Sequence, residues 1–154
     1  MANVRDLDKG LRKILLSFRE LTKTSLNVGV FSDAVNSKEK GADYVADYAI
    51  TNEYGSKHIP ERSFMRSTID EQGDKWTNSL ADAFLSVSKN GNDINKQLYK
   101  TGAIARNDII AKIDSNINPP NAPSTIKKKG LTKNKTLIDT GVLRSSIEAR
   151  IERK

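Results

Sequence analysis

Cysteine is absent from this 154-residue chain and histidine occurs once, at His58. Disulfides and thiolate metal sites are therefore excluded, and a zinc site, which normally draws on several His or Cys ligands, has too few. The lack of cysteine also fits a reducing compartment. No basic-then-apolar leader follows Met1, and no apolar run is long enough to span a bilayer, so a soluble, unexported chain is expected. Hydrophobic residues make up 36% and charged residues 29%. That balance suits a subunit with much surface relative to its core.

Catalytic constellations are missing as well. His58 lies in Gly-Ser-Lys-His-Ile-Pro, a turn-like segment with no nucleophile or carboxylate in a recognisable pattern around it, so a hydrolase built on His58 is the weakest reading. Asp70, Glu71 and Asp74 read as one exposed helix face rather than a metal clamp. Lys127-Lys128-Lys129-Gly130 lacks the preceding glycine and the strand–loop–helix setting of a phosphate-binding loop. No helix-turn-helix is evident, and the basic residues are not interleaved with aromatics as in single-strand grooves. The residues thus show no catalytic constellation.

What the chain does have is a local excess of positive charge. Up to residue 117, 17 Lys and Arg stand against 16 Asp and Glu; from 118 onward the figures are 9 and 3. The excess lies chiefly in Lys127, Lys128, Lys129, Lys133 and Lys135, which are the candidate partner-interface residues. A patch of this kind favours a polyanion or an acidic protein face, while its bland reading is a solvated loop.

The periodicities define an α+β fold. Val4, Leu7, Leu11, Ile14, Phe18 and Leu21 recur at three- and four-residue steps, giving an N-terminal helix that packs on its own domain or forms a seam for a partner helix. Leu26, Val28 and Val30 alternate before Phe31, predicting a strand near 26–31. A polar loop over 32–42 precedes a helix from Asp43 to Tyr54, stopped by Gly55. Two long helices follow. One runs through Phe64, Ile69, Trp76, Leu80, Phe84 and Val87 to Asn90-Gly91, with Gly73 inside. The other is capped by Asp93 and runs through Leu98, Ala105, Ile109 and Ile113, with Gly102 inside. Phe64, Ile69, Trp76, Leu80 and Phe84 are expected to face Leu98, Ile109 and Ile113. Ile147, Ala149 and Ile151 alternate with charged residues, predicting a second strand near 146–152 in a small antiparallel or mixed sheet. The whole reads as a single domain, 1–154. A basic Pro/Lys-rich surface loop covers about 118–136, its entry stiffened by Pro119, Pro120 and Pro123.

Three segments, in order, carry a resemblance. Asn52-Glu53-Tyr54-Gly55 with Pro60-Glu61-Arg62-Ser63-Phe64-Met65-Arg66 resembles the Asn-Glu-Phe-Gly and Pro-x-Arg-Pro-Phe-x-Arg signatures of tail-completion proteins of long-tailed bacteriophages, also called neck or head–tail joining proteins. Pro119-Pro120, then Ala122-Pro123-Ser124-Thr125-Ile126-Lys127 and Lys129-Gly130, is similar to that family's second signature. Leu137-Ile138-Asp139-Thr140-Gly141-Val142-Leu143 with Ser146-Ile147 is similar to its third. Tyr54 stands where phenylalanine is usual, and Ser63 where a second proline is usual, although serine is a competent helix cap.

The resemblance implies a structural virion-assembly protein of a phage or prophage. Such a protein would act in the neck or tail after assembly in the host cytoplasm, through contact with other head–tail connector and tail proteins. It implies a homo-oligomeric ring, a hexamer being one candidate, with no enzyme activity and no cofactor, and the lack of a spanning apolar run adds the expectation of no membrane association. A non-sequence-specific nucleic-acid-binding accessory protein using the basic loop is the alternative. Asp139-Thr140-Gly141 is expected to cap a short helix through Leu143.

Overall fold

A computed structural model of the chain describes residues 4–34, 44–90, 93–130 and 134–153. The expected loop over 32–42, Gly91 and Lys133 fall largely or wholly outside those residues. The element order is α1 (Val4–Thr22), β1 (Thr24–Val30), α2 (Val45–Tyr54), α3 (Arg66–Asn90), α4 (Ile94–Asp114), α5 (Pro123–Lys129), α6 (Val142–Ser145) and β2 (Ile147–Arg153). The two strands pair as a two-stranded antiparallel sheet, so the chain is α+β. It divides into two compact units: Met1–Asn27 with Asp74–Ile104 and Ala149–Lys154, and Val28–Gly73 with Ala105–Glu148.

The element ends have local causes. The hydroxyls of Thr22 and Thr24 donate to the carbonyls of Arg19 and Glu20, at 2.9 and 2.8 Å, and close the last turn of α1. Asp93 caps α4 as expected, its Oδ1 accepting the Lys96 N–H at 2.9 Å. In α5, Pro123 occupies the first turn, where its missing N–H costs nothing. The expected 118–136 loop is thus interrupted by a helical turn that carries Lys127, Lys128 and Lys129.

In the first unit, Ala83, Val87, Leu98 and Thr101 are buried, and Ser79 and Thr101 share a hydroxyl–hydroxyl bond of 2.8 Å between α3 and α4. Gly102 allows a close approach. A Cβ there would lie 2.9 Å from the Ala149 Cβ on β2 and 3.0 Å from a Leu26 methyl on β1. Gly73, by contrast, has open space where its side chain would be. On α1, Phe18 sets its ring 4.5 Å from that of Phe84, while Leu11, Leu15 and Leu16 are each more than half exposed.

In the second unit the core is Val45, Ala49, Phe64, Thr68, Ala105, Ile109, Ile113, Leu143 and Ile147. The expected face of α3 is corrected here. Ile69 is 50% exposed, and in the first unit Leu80 is 42% exposed. Within α3, Ile69 follows buried Thr68 by one residue, which at about 100° per residue turns it away from the inward face. Thr68, one turn after Phe64, occupies the inward face instead, its hydroxyl bonded to the Phe64 carbonyl at 2.5 Å. The buried strip therefore runs through small and hydroxylated residues that apolar periodicity overlooks.

Truncation should separate the two faces. Ile109→Ala should cost about 2–5 kcal/mol, whereas Ile69→Ala should stay within about 0.5 kcal/mol, as for other surface changes. Denaturant midpoints of the two variants check this assignment.

Candidate functional site

The three motif segments meet in the second unit, and one carboxylate organises the first of them. Glu53, at the end of α2, is 5% exposed. Its carboxylate accepts the backbone N–H groups of Phe64 (2.7 Å), Met65 (2.9 Å) and Arg66 (2.9 Å), the Ser63 hydroxyl (2.8 Å) and Arg66 Nε (3.2 Å). These N–H groups belong to the entry and first residue of α3, which have no intrahelical acceptor. A negative charge there also opposes the helix dipole favourably. Burial alone would raise the Glu53 pKa, but the bonds from Met65, Arg66, Ser63 and Phe64 outweigh it and hold the carboxyl below its ordinary range.

Arg66 completes this arrangement from outside. Its Nη2 donates to the Glu53 carbonyl at 3.0 Å and to Glu61 Oε1 at 2.6 Å, and its guanidinium lies 4.5 Å over the Tyr54 ring. Ser63 accepts the Ser67 N–H at 3.2 Å, so serine at this position acts as a cap while also donating to Glu53. Gly55, at φ +73°, has no room for a side chain: a Cβ would sit 2.8 Å from the Glu61 nitrogen. Pro60 and His58 lie exposed on the intervening turn, where Ser56 Oγ accepts the His58 and Ile59 N–H groups.

Arg62 joins the first segment to the second. Its backbone N–H donates to the Asn52 carbonyl at 2.8 Å, while Nε and Nη2 donate to the carbonyls of Pro119 (2.8 Å) and Pro120 (3.1 Å). The Asn118–Pro119 peptide is cis. The second segment continues through α5, with Thr125 half-buried, to Gly130, whose N–H returns to the Ile126 carbonyl at 2.9 Å. Buried Thr136 binds Asn116 Oδ1 and the Ile117 carbonyl, tying the chain after α5 to the end of α4.

The third segment closes the site. Gly141 adopts the left-handed conformation at φ +80° and precedes α6, which lies against α2 and buries Leu143. No side chain caps α6, so the expected capping by Asp139 or Thr140 is not found. A glycine in this conformation turns the chain by itself, and Asp139 and Thr140 remain exposed. Arg144 forms a paired bond to Asp114, Nε to Oδ1 and Nη2 to Oδ2, each at 2.9 Å; these bonds depress the Asp114 pKa.

Between the segments lies a cavity of about 410 Å³. Tyr48, Leu137, Val142 and Leu143 supply apolar wall, and Asn52, Arg62, Asn121, Lys129 and the run from Asp139 to Gly141 supply the polar groups. The described lysines of the basic cluster differ in their surroundings. Lys129 turns inward, donating to the Ile138 carbonyl at 2.7 Å and lying 3.7 Å from Asp139. Lys135 donates to the Asp114 carbonyl at 3.1 Å. Lys127 and Lys128 are exposed, and Lys133 lies outside the described residues.

Among the described residues no three His, Cys, Asp or Glu side chains gather as a metal site, and no helix is long and apolar enough to cross a membrane. Comparison with known proteins finds no family model, no curated protein and no solved structure that matches the chain.

Glu53 makes acid sensitivity a test of the site. A carboxyl whose folded pKa is depressed stabilises the fold fully above its unfolded value, about 4.3 for Glu. That contribution is lost as pH falls through the lower folded value. Glu53→Gln keeps the shape but turns an amide donor toward N–H donors, and should cost about 1–3 kcal/mol at neutral pH. Between pH 5 and 2 the variant should lose less further stability than the parent. Parallel slopes for the two proteins in urea unfolding across that range would rule out the assigned role.

Proposed function

We propose that this chain is a structural assembly subunit of the head–tail junction of a long-tailed bacteriophage or prophage, a tail-completion or neck protein that works by protein–protein contact in a ring. The observation that carries the reading is the convergence of the three ordered motif segments on one pocket. Residues 52–66, 119–130 and 137–143 are far apart in sequence, yet Arg62 ties the first to the second and Lys129 the second to the third, while Glu53 holds the first together. Groups spent on locking backbone segments together are suited to presenting a shaped surface, and the reading assigns them no bond-breaking step and no cofactor.

Exposed Leu11, Leu15 and Leu16 on α1 add support, because apolar residues clustered on one exposed helix favour burial against another chain. In a closed ring the same two patches meet at every interface, so modest pairwise contacts suffice. The virion is the site of action in this reading, after assembly in the host cytoplasm. The alternative, non-specific nucleic-acid binding, draws on the positive charge after residue 117. It is weakened by the inward bonding of Lys129 and by the bond of Lys135 to the Asp114 carbonyl, which leave Lys127 and Lys128 as the exposed described lysines of that cluster with no bond to the rest of the fold.

Charge reversal distinguishes the readings. The paired change Lys127→Glu and Lys128→Glu should alter folding stability by no more than about 0.5 kcal/mol. The assembly reading expects fewer infectious particles, with filled heads and separate tails accumulating in electron micrographs of lysates. It also expects discrete oligomers of the purified chain by light scattering, alone or with its tail partner. A monomer whose duplex affinity falls steeply with salt would favour the nucleic-acid alternative instead.

A further inference from the structure

The pocket contains a cation that the described residues leave without a counter-charge. Arg62 is only 7% exposed, yet its two bonded nitrogens end on neutral proline carbonyls, and it pairs with no carboxylate among the described residues. Arg66 and Arg144 differ, each being bonded to an acid. The remaining nitrogen of Arg62, Nη1, has no acceptor among the described residues and is not sealed from solvent. Burial without a compensating charge also pulls the Arg62 pKa below the usual arginine range. Lys129 does not alter this balance, since Asp139 lies 3.7 Å away and is 74% exposed at the mouth. One positive charge therefore faces the cavity unmatched, and a buried unpaired ion is costly until a partner supplies the opposite charge.

We propose that this pocket receives an acidic side chain, Asp or Glu next to an apolar residue, carried by another protein chain. The guanidinium offers a donor for the carboxylate, the Asn52 and Asn121 amides offer further polar groups, and Leu137, Val142 and Leu143 form an apolar wall for the neighbouring side chain. At about 410 Å³ the cavity has room for a few side chains. A duplex carries its phosphates on a convex rod and would meet exposed Lys127 and Lys128 before an arginine that is only 7% exposed. The inference rests on the assembly reading only in supposing a protein partner. It names the chemistry by which that partner is held.

The test uses the isotopically labelled full chain and leaves Arg62 in place, because Arg62 also holds Pro119 and Pro120. The peptide acetyl-Leu-Glu-Leu-amide should shift the Arg62 Nε–H and Gly141 amide resonances saturably. Acetyl-Leu-Gln-Leu-amide should bind about tenfold more weakly, a difference of about 1.4 kcal/mol. Thr140→Glu, at an exposed position on the mouth, should weaken the acidic peptide by a similar factor while thermal unfolding stays unchanged. Equal binding of the Glu and Gln peptides, or no shift at millimolar peptide, would overturn the proposal. So would inorganic phosphate reproducing the acidic peptide's shifts, which would mark a general anion site. Failure here leaves the particle phenotype of the lysine reversal untouched, so the two ideas fall separately.

Discussion

A buried carboxylate fixes the start of the 25-residue helix α3, and much of the second unit follows from it. Glu53 receives three consecutive backbone N–H groups, a serine hydroxyl and an arginine nitrogen. Each of these donors would cost free energy if it were buried without an acceptor. The carboxylate can serve them all only as an anion, because a protonated acid or an amide would turn a donor toward donors. Gly55 then reverses the chain where a side chain would strike the Glu61 backbone, so residues 52–66 form one hydrogen-bonded turn rather than two adjacent motifs.

The second constraint is the use of long cationic side chains as ties to backbone carbonyls. Arg62 reaches Pro119 and Pro120, and Lys129 reaches Ile138. Proline lacks an N–H, so those carbonyls sit in a stretch unable to form a regular ladder of its own. A guanidinium with several donors in a fixed fork is suited to such a place. The result is a surface held by directional bonds, with the apolar side chains of α6 and the segment before it left to line a cavity. Such a surface can present a defined shape to a partner without a large hydrophobic core beneath it.

The main elements were legible in the sequence because apolar periodicity marks them: the helix over Val4–Thr22, the strand ending at Val30, the two long helices and the last strand all lie where the spacing places them. Asp93 as a cap and Gly55 as a stop are local signals and were equally readable. The inward face of α3 was not, because Thr68, Ser79 and Ala83 take positions that a count of large apolar residues assigns to Ile69 and Leu80. Helical α5 was hidden by its prolines and lysines. The site was legible only as motifs. Nothing in local spacing tells that Glu53 caps the helix that begins 13 residues later, that Arg62 binds carbonyls 57 and 58 positions away, or that Lys129 turns inward. Those roles depend on tertiary proximity, which a basic run or an Asn-Glu-Tyr-Gly string cannot encode by itself.

The most direct measurement of the proposed assembly role is cross-linking mass spectrometry on tailed particles purified from lysates of the cells that carry the chain's gene. The account predicts that the chain is present in tailed particles, with Lys127 or Lys128 linked to a connector or tail protein and with links between copies of the chain itself. Its absence from purified tailed particles, or recovery only in fractions bound to free DNA, would contradict the account.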